Sequence, residues 1–163
     1  YDEQSHESHV TKPVRGHFQK QGSQPTKQIK EFRDFSTEVI SGGKVEVTIF
    51  EPGDFVDAIA KTKGRGFQGV VQRWNFGGGR GSHGSGGFRR RPGSIGAGST
   101  PGHVTKGKHM PGHMGQASRT VQNLEIIQVQ ADDNLLLVKG AIPGANGDYV
   151  VIRESKKKPK KTK

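Results

Sequence analysis

The 163-residue sequence contains no cysteine, which excludes disulfides and cysteine-ligated zinc and is compatible with a reducing compartment. No apolar run approaches the roughly 18 residues that a membrane span needs. The opening YDEQSHESHV lacks the charged and apolar regions of a signal peptide. The expectation is a soluble protein with no membrane partner. Tyr1 in place of Met points to a start inside a longer chain. The most telling absence is of acid: from Lys61 to Asn123 there is no Asp or Glu, while eleven Lys and Arg fall in the same stretch.

That stretch also holds seventeen of the 25 glycines, Pro92, Pro101, Pro111 and four histidines. It has little apolar material for a core of its own and needs a partner to become ordered. Nucleic acid fits: cations displace counterions from phosphates, and glycines allow close backbone approach. A solvated flexible linker is the competing reading. The formal charge of +11 and 29% hydrophobic content describe one small domain with a large appendage.

Along the chain, residues 1–34 read as a polar segment with a short helix at Thr26–Phe32, where Ile29 and Phe32 share a face. Residues 35–74 read as the first strands. Val45, Val47 and Ile49 alternate with Lys44, Glu46 and Thr48 after a Gly42-Gly43 turn, Phe55, Val56, Ile59 and Ala60 add apolar material, and Phe67–Trp74 gives another strand. Residues 75–120 form an extended basic loop. Residues 121–154 supply the remaining strands, at Leu124–Val129, Leu135–Val138 and Tyr149–Ile152, with turns at 131–134 and at Asn146-Gly147. Residues 155–163 are a basic tail, either solvated or in contact with phosphate. The foldable material thus flanks the Gly-rich insert, and strands from its two sides must pair to bury their apolar faces. The expected fold is mainly β, a small antiparallel barrel from which a long Gly/Arg-rich loop projects.

Gly64-Arg65-Gly66-Phe67-Gln68-Gly69 satisfies G-x-G-x-x-G, but the dinucleotide motif needs a strand before it, a helix after it and an acidic residue about twenty positions on. VVQRW reads as a strand and the next acid is Glu125, so the match is accidental. His109 and His113 have i, i+4 spacing, yet Pro111-Gly112 between them rules out a shared helical face, and no carboxylate or thiolate completes a metal set. Imidazoles contacting phosphate, sugar or base fit better. Ser94 and Ser99 lack an oriented base in sequence. Arg89-Arg90-Arg91-Pro92 concentrates guanidinium groups suited to phosphate. Trp74 and Phe76, flanking Arg73, offer rings for base stacking, with core packing of Trp74 an equal alternative.

The string GRGFQGVVQRWNF, followed in order by SHGS, RRRPGSIG, STPG, KGKHMPGHMG and RTVQNLEIIQVQADDNLLLVKGAIPG, resembles large-subunit ribosomal protein three of bacterial type. KPVRGHFQKQG at 12–22 and EFR at 31–33 extend the likeness, which covers roughly residues 12–152. The resemblance implies a translation-protein-type β-barrel seated on large-subunit ribosomal RNA beside neighbouring ribosomal proteins in the cytoplasmic ribosome. Its loop would penetrate toward the peptidyl transferase centre, and the protein would act early in assembly. The positions implied to be deeply inserted are Ser94–Pro101 and Lys108–Gly115. Taken with the charge pattern, it gives sixteen expected RNA contacts: Lys63, Arg65, Arg73, Trp74, Arg80, His83, Arg89, Arg90, Arg91, Ser94, His103, Lys106, Lys108, His109, His113 and Arg119. No catalysis, small-molecule substrate or cofactor is expected beyond Mg2+ associated with the RNA.

The sequence departs from the family pattern in three places. A GMTQIF-like first-strand block is absent, which implies that the N-terminal part of the barrel is missing from this chain. His113 stands where many bacterial relatives carry a methylated glutamine, so that modification is not expected. The lysine tail exceeds the usual bacterial ending. The alternatives are a free RNA chaperone or nonspecific nucleic-acid-binding protein, an enzyme holding a phosphate cofactor in the Gly-rich loop, and, remotely, a secreted basic adhesive protein.

Overall fold

The computed structural model describes residues 10–33 and 43–158. The readings on 1–9, on 34–42 with the first glycine of the Gly42-Gly43 turn, and on the tail end 159–163 lie outside the described residues. The chain divides into two units, 1–50 with 130–135 and 51–129 with 136–163.

In the first unit, helix α1 spans Lys12–Lys20, with Pro13 in its opening turn, His17 and Lys20 in its last and no buried residue. The chain leaves it through Gln21 and Gly22, the latter at φ +65°. Proline at the start and glycine just past the end suit a helix whose sides need bury nothing. Its single apolar i, i+4 pair, Val14 and Phe18, is half-buried, too brief a period to mark the helix in the sequence. Thr26–Phe32 is not helical, and Ile29 and Phe32 are exposed; a single i, i+3 pair with no surface to cover it does not nucleate a helix. The alternating segment at Val45–Ile49 is not a strand either. Val47–Ile49 forms a single 3₁₀ turn closed by Phe50 N–H donating to the Val47 carbonyl at 3.1 Å.

In the second unit, apart from the terminal residues Gln130 and Leu135, strands β1 (Phe55–Lys61), β4 (Ser118–Gln130), β5 (Leu135–Lys139) and β6 (Val151–Glu154) form a four-stranded sheet in the order β5-β4-β1-β6. Short strands β2 (Phe67–Gln68) and β3 (Gly112–His113) make a second, two-stranded sheet. The fold is mainly β with antiparallel pairing across the Gly-rich insert, because β1 lies before it and both of its partners after it. The expected closed barrel is not found. β5 and β6 remain outer strands with no pairing between them among the described residues, and four strands are too few to curl round and join first to last.

β1 explains why FVDAIAK has no clean alternation: as a central strand it buries Val56, Asp57, Ala58 and Ala60 on both faces. With Leu124 and Ile126 of β4 and the buried Val70, the apolar members of this strand form the core. The β4–β5 hairpin turns at Ala131–Asn134, with Asn134 at φ +51° and its N–H donating to the Ala131 carbonyl at 3.2 Å. Strand β6 begins two residues later than Tyr149.

The β1–β4 ladder shifts register between Val56, opposite Leu124, and Ala58, opposite Val121. Asp57, fully buried, fills that bulge. Its Oδ1 accepts the Asn123 N–H at 3.1 Å, where Asn123 sits at φ +59°. Its Oδ2 meets Arg153 Nη2 of β6 at 3.4 Å. Ser155, 2% exposed, donates its hydroxyl to Asn123 Oδ1 at 2.6 Å and its N–H to the Phe55 carbonyl at 3.0 Å.

Asp57→Ala is expected to cost about 2–3 kcal/mol, because it leaves the half-buried Asn123 N–H without an acceptor. The Arg153 side chain is 36% exposed and can be resolvated, so Asp57→Asn should cost less than half as much, about 1 kcal/mol. Urea unfolding of the full chain separates these contributions. Equal losses would assign the stabilisation to charge rather than to the backbone hydrogen bond.

Candidate nucleic-acid interface

The β1–β4 pairing does not stop at Lys61. Thr62 N–H donates to the Ala117 carbonyl at 2.9 Å, Gln116 N–H to Thr62 at 3.0 Å, Arg65 N–H to Met114 at 2.9 Å and Met114 N–H to Gly66 at 2.9 Å. Phe67 then pairs with His113 and Gln68 with Gly112. The result is a continuous antiparallel ribbon that carries Lys63, Arg65, His113 and Arg119 and holds the two ends of the basic insert together. Gly115, at φ +81°, is required here because a Cβ would overlap the Lys63 carbonyl oxygen.

At the ribbon's end the chain forms helix α2, Val70–Trp74, capped by Asn75 in the left-handed region at φ +58°. The β-branched VVQRW segment is thus a helix, contrary to the strand reading. Burial of Val70, 0% exposed, and two side-chain bonds to one carbonyl outweigh its β propensity. Arg73 Nη1 donates to the Met110 oxygen at 2.8 Å and Trp74 Nε1 to the same oxygen at 2.9 Å. These bonds close a neck from which residues 75–109 project. The His109 ring lies flat on that of Trp74, with centroids 3.9 Å apart and planes 2° apart. The G-x-G-x-x-G segment is followed by a helix after all, but one of five residues, and β2 lies inside the motif. It forms part of a ribbon rather than a phosphate-wrapping turn.

Beyond the neck, Gly79 N–H donates to the Arg89 carbonyl at 2.9 Å, closing a sub-loop with Arg80 and His83 on it. The Ser85 hydroxyl donates to the Arg80 and Ser82 carbonyls. Gly78, at φ +72°, lies where a Cβ would overlap the Arg89 carbonyl oxygen. The Arg91 guanidinium stands 4.6 Å from the Phe88 ring centroid. The Ser94 hydroxyl donates to the Gly96 carbonyl at 2.9 Å, and His103 Nδ1 lies 2.8 Å from the Pro101 carbonyl, which makes it the protonated nitrogen. Lys106 and Lys108 flank a turn in which Lys108 N–H reaches the Thr105 carbonyl at 3.3 Å.

Of the sixteen expected contact residues, all but the half-buried Arg73 are exposed. The structure gathers Arg73, Trp74 and His109 at the neck and distributes the others along the ribbon and loop. None of these cations pairs with a carboxylate among the described residues. Likewise among the described residues, no three His, Asp or Glu side chains converge on a metal position, and no helix is long and apolar enough to cross a membrane. Sequence reading missed Met110, whose contribution is a backbone carbonyl, and Phe67, whose ring is 77% exposed.

The family model described as Ribosomal protein L3 matches residues 17–135. The chain belongs to the ribosomal protein L3 family. It is 54% identical over 151 residues to the large ribosomal subunit protein uL3 of Deinococcus radiodurans, a match covering 93% of this chain and 70% of that relative. The uL3 proteins of Akkermansia muciniphila and Brachyspira pilosicoli are 51% and 50% identical, over 93% and 95% of this chain and 72% of each relative. The family is one of structural ribosomal proteins rather than enzymes.

The two neck glycines should respond differently to substitution. Gly115→Ala meets backbone at positive φ and is expected to lose about 1–3 kcal/mol, with faster amide exchange at Arg65 and Met114. At Gly112 a Cβ meets only the end of the Arg73 side chain. Gly112→Ala should therefore shift the fluorescence of Trp74, the chain's single tryptophan, while leaving the unfolding midpoint nearly unchanged.

Proposed function

We propose that this protein is a structural constituent of the large ribosomal subunit in the cytoplasm, where it binds and organises large-subunit ribosomal RNA early in assembly. Within residues 75–120, the segment 75–109 that projects from the neck acts as the extended loop that reaches into RNA toward the peptidyl transferase centre. The strands that lie within 35–74 and 121–154 belong to a translation-protein-type barrel wall, which neighbouring ribosomal proteins cover. The polar segment 1–34 and the basic tail 155–163 are separate parts of the chain. Mg2+ enters with the RNA, and the protein holds no small molecule.

One observation carries this reading: fifteen exposed side chains of the sixteen, with no acid between Lys61 and Asn123, on a ribbon and loop tied down at their base. The family relationship supports ribosomal RNA as the polyanion. The mechanism is phosphate neutralisation combined with shape: cations release counterions from RNA, and glycines at positive φ let the backbone approach closely. Arg89, Arg90 and Arg91 supply the densest charge, and Lys106, Lys108 and Arg119 continue it along the loop's return path.

Replacing Arg89, Arg90 and Arg91 together by Ala should flatten the salt dependence of ribosomal RNA affinity by up to about three phosphate contacts. An unchanged slope would remove the cluster from the interface. A free RNA chaperone has the same charge pattern, and sedimentation of a native lysate separates the two readings. A structural constituent stays at one copy per large subunit through a high-salt wash, whereas a chaperone is recovered at the top of the gradient.

A further inference from the structure

The neck presents a surface that phosphate neutralisation does not use. Trp74 is fixed in place: its indole N–H donates to the Met110 carbonyl at 2.9 Å, and the Arg73 guanidinium, bonded to the same oxygen, stands 5.0 Å from the indole centroid. One face of the indole is covered by His109, parallel to within 2°. His109 itself is exposed. Its other ring neighbour, Phe76, is 6.3 Å away and tilted by 48°, and so does not lie flat on it. Tryptophan is thus the support and histidine the outer layer.

We propose that an unpaired nucleobase stacks on the open face of His109 and extends the Trp74–His109 pair to three layers. A flat ring held in a single orientation loses little freedom on binding, and every base offers a π-face to it. No acid lies between Lys61 and Asn123, and Lys108 precedes His109 in the chain, a charge that suits the phosphate attached to such a base. This inference rests on the RNA-binding reading and adds a base-dependent contact to it, at a residue where charge alone would predict only phosphate.

The test uses the full chain with two probes, a short oligoadenylate and an abasic ribose-phosphate oligomer of equal length, with Trp74 as reporter. Oligoadenylate is expected to bind at least about fivefold more tightly than the abasic oligomer and to alter Trp74 emission. His109→Leu keeps the indole covered but removes the π-face, and should abolish the preference while leaving the salt slope intact. His109→Phe should retain the preference. Equal affinity for both probes, or a preference undiminished in His109→Leu, overturns the stacking site and leaves RNA binding standing. Failure of both probes to bind even at low salt overturns the RNA reading and the stacking site together.

Discussion

Asp57 is a buried carboxylate at the point where three strands meet, bonded to the β4 backbone at Asn123 and facing Arg153 of β6. Its importance follows from β1 being buried on both faces. In a half-buried strand, a slip of one residue turns every apolar side chain to water, and register is set by that penalty. In β1 the same slip exchanges one buried apolar set for another, so the hydrophobic pattern discriminates poorly. A buried carboxylate does discriminate, because it must meet its donors or remain desolvated without compensation. The positive φ of Asn123 supplies the bulge that brings one such donor inward.

Register set at Asp57 propagates outward. Ala60 opposite Arg119, Thr62 bonded to Ala117, Arg65 to Met114 and Phe67 opposite His113 form one unbroken series. Met110, three residues from the end of that series, supplies the carbonyl that Arg73 and Trp74 share. A slip in the sheet would carry that oxygen about 3.3 Å along the strand direction, beyond hydrogen-bonding reach of both donors. The neck therefore inherits its geometry from a polar network in the core, and Gly115 is the ribbon position where a side chain would meet the opposite backbone.

The sequence made legible the mainly β class, the hairpin at 131–134 and the pairing of strands across the basic insert, because these rest on apolar runs and turn residues that act locally. It did not reveal α1, whose single apolar i, i+4 pair, Val14 and Phe18, is only half-buried and too brief a period to mark a helix. VVQRW read as a strand because β-branched residues favour one, while the forces that make it helical come from Met110, far along the chain. Val45–Ile49 shows the converse: alternation specifies a strand only where a neighbouring strand pairs with it, and this segment closes a local 3₁₀ turn instead. The cations were visible as charge, but the arrangement of Trp74 under His109 was not, since stacking depends on where the loop's return path crosses its outward path.

The same arrangement explains how a Gly-rich insert can be both adaptable and directed. Ordering a long segment costs on the order of 1 kcal/mol or more per residue, and the insert buries almost no apolar surface to offset it. The ribbon reduces that cost at the base, where hydrogen bonds fix both strands, and the sub-loop closed by Gly79 and Arg89 adds local constraint farther out. Like charges along an insert without acids repel one another and disfavour collapse of the free loop. Under the proposed function, that repulsion is relieved when phosphates replace solvent, so the term that keeps the loop open in the free protein becomes part of the driving force for its insertion.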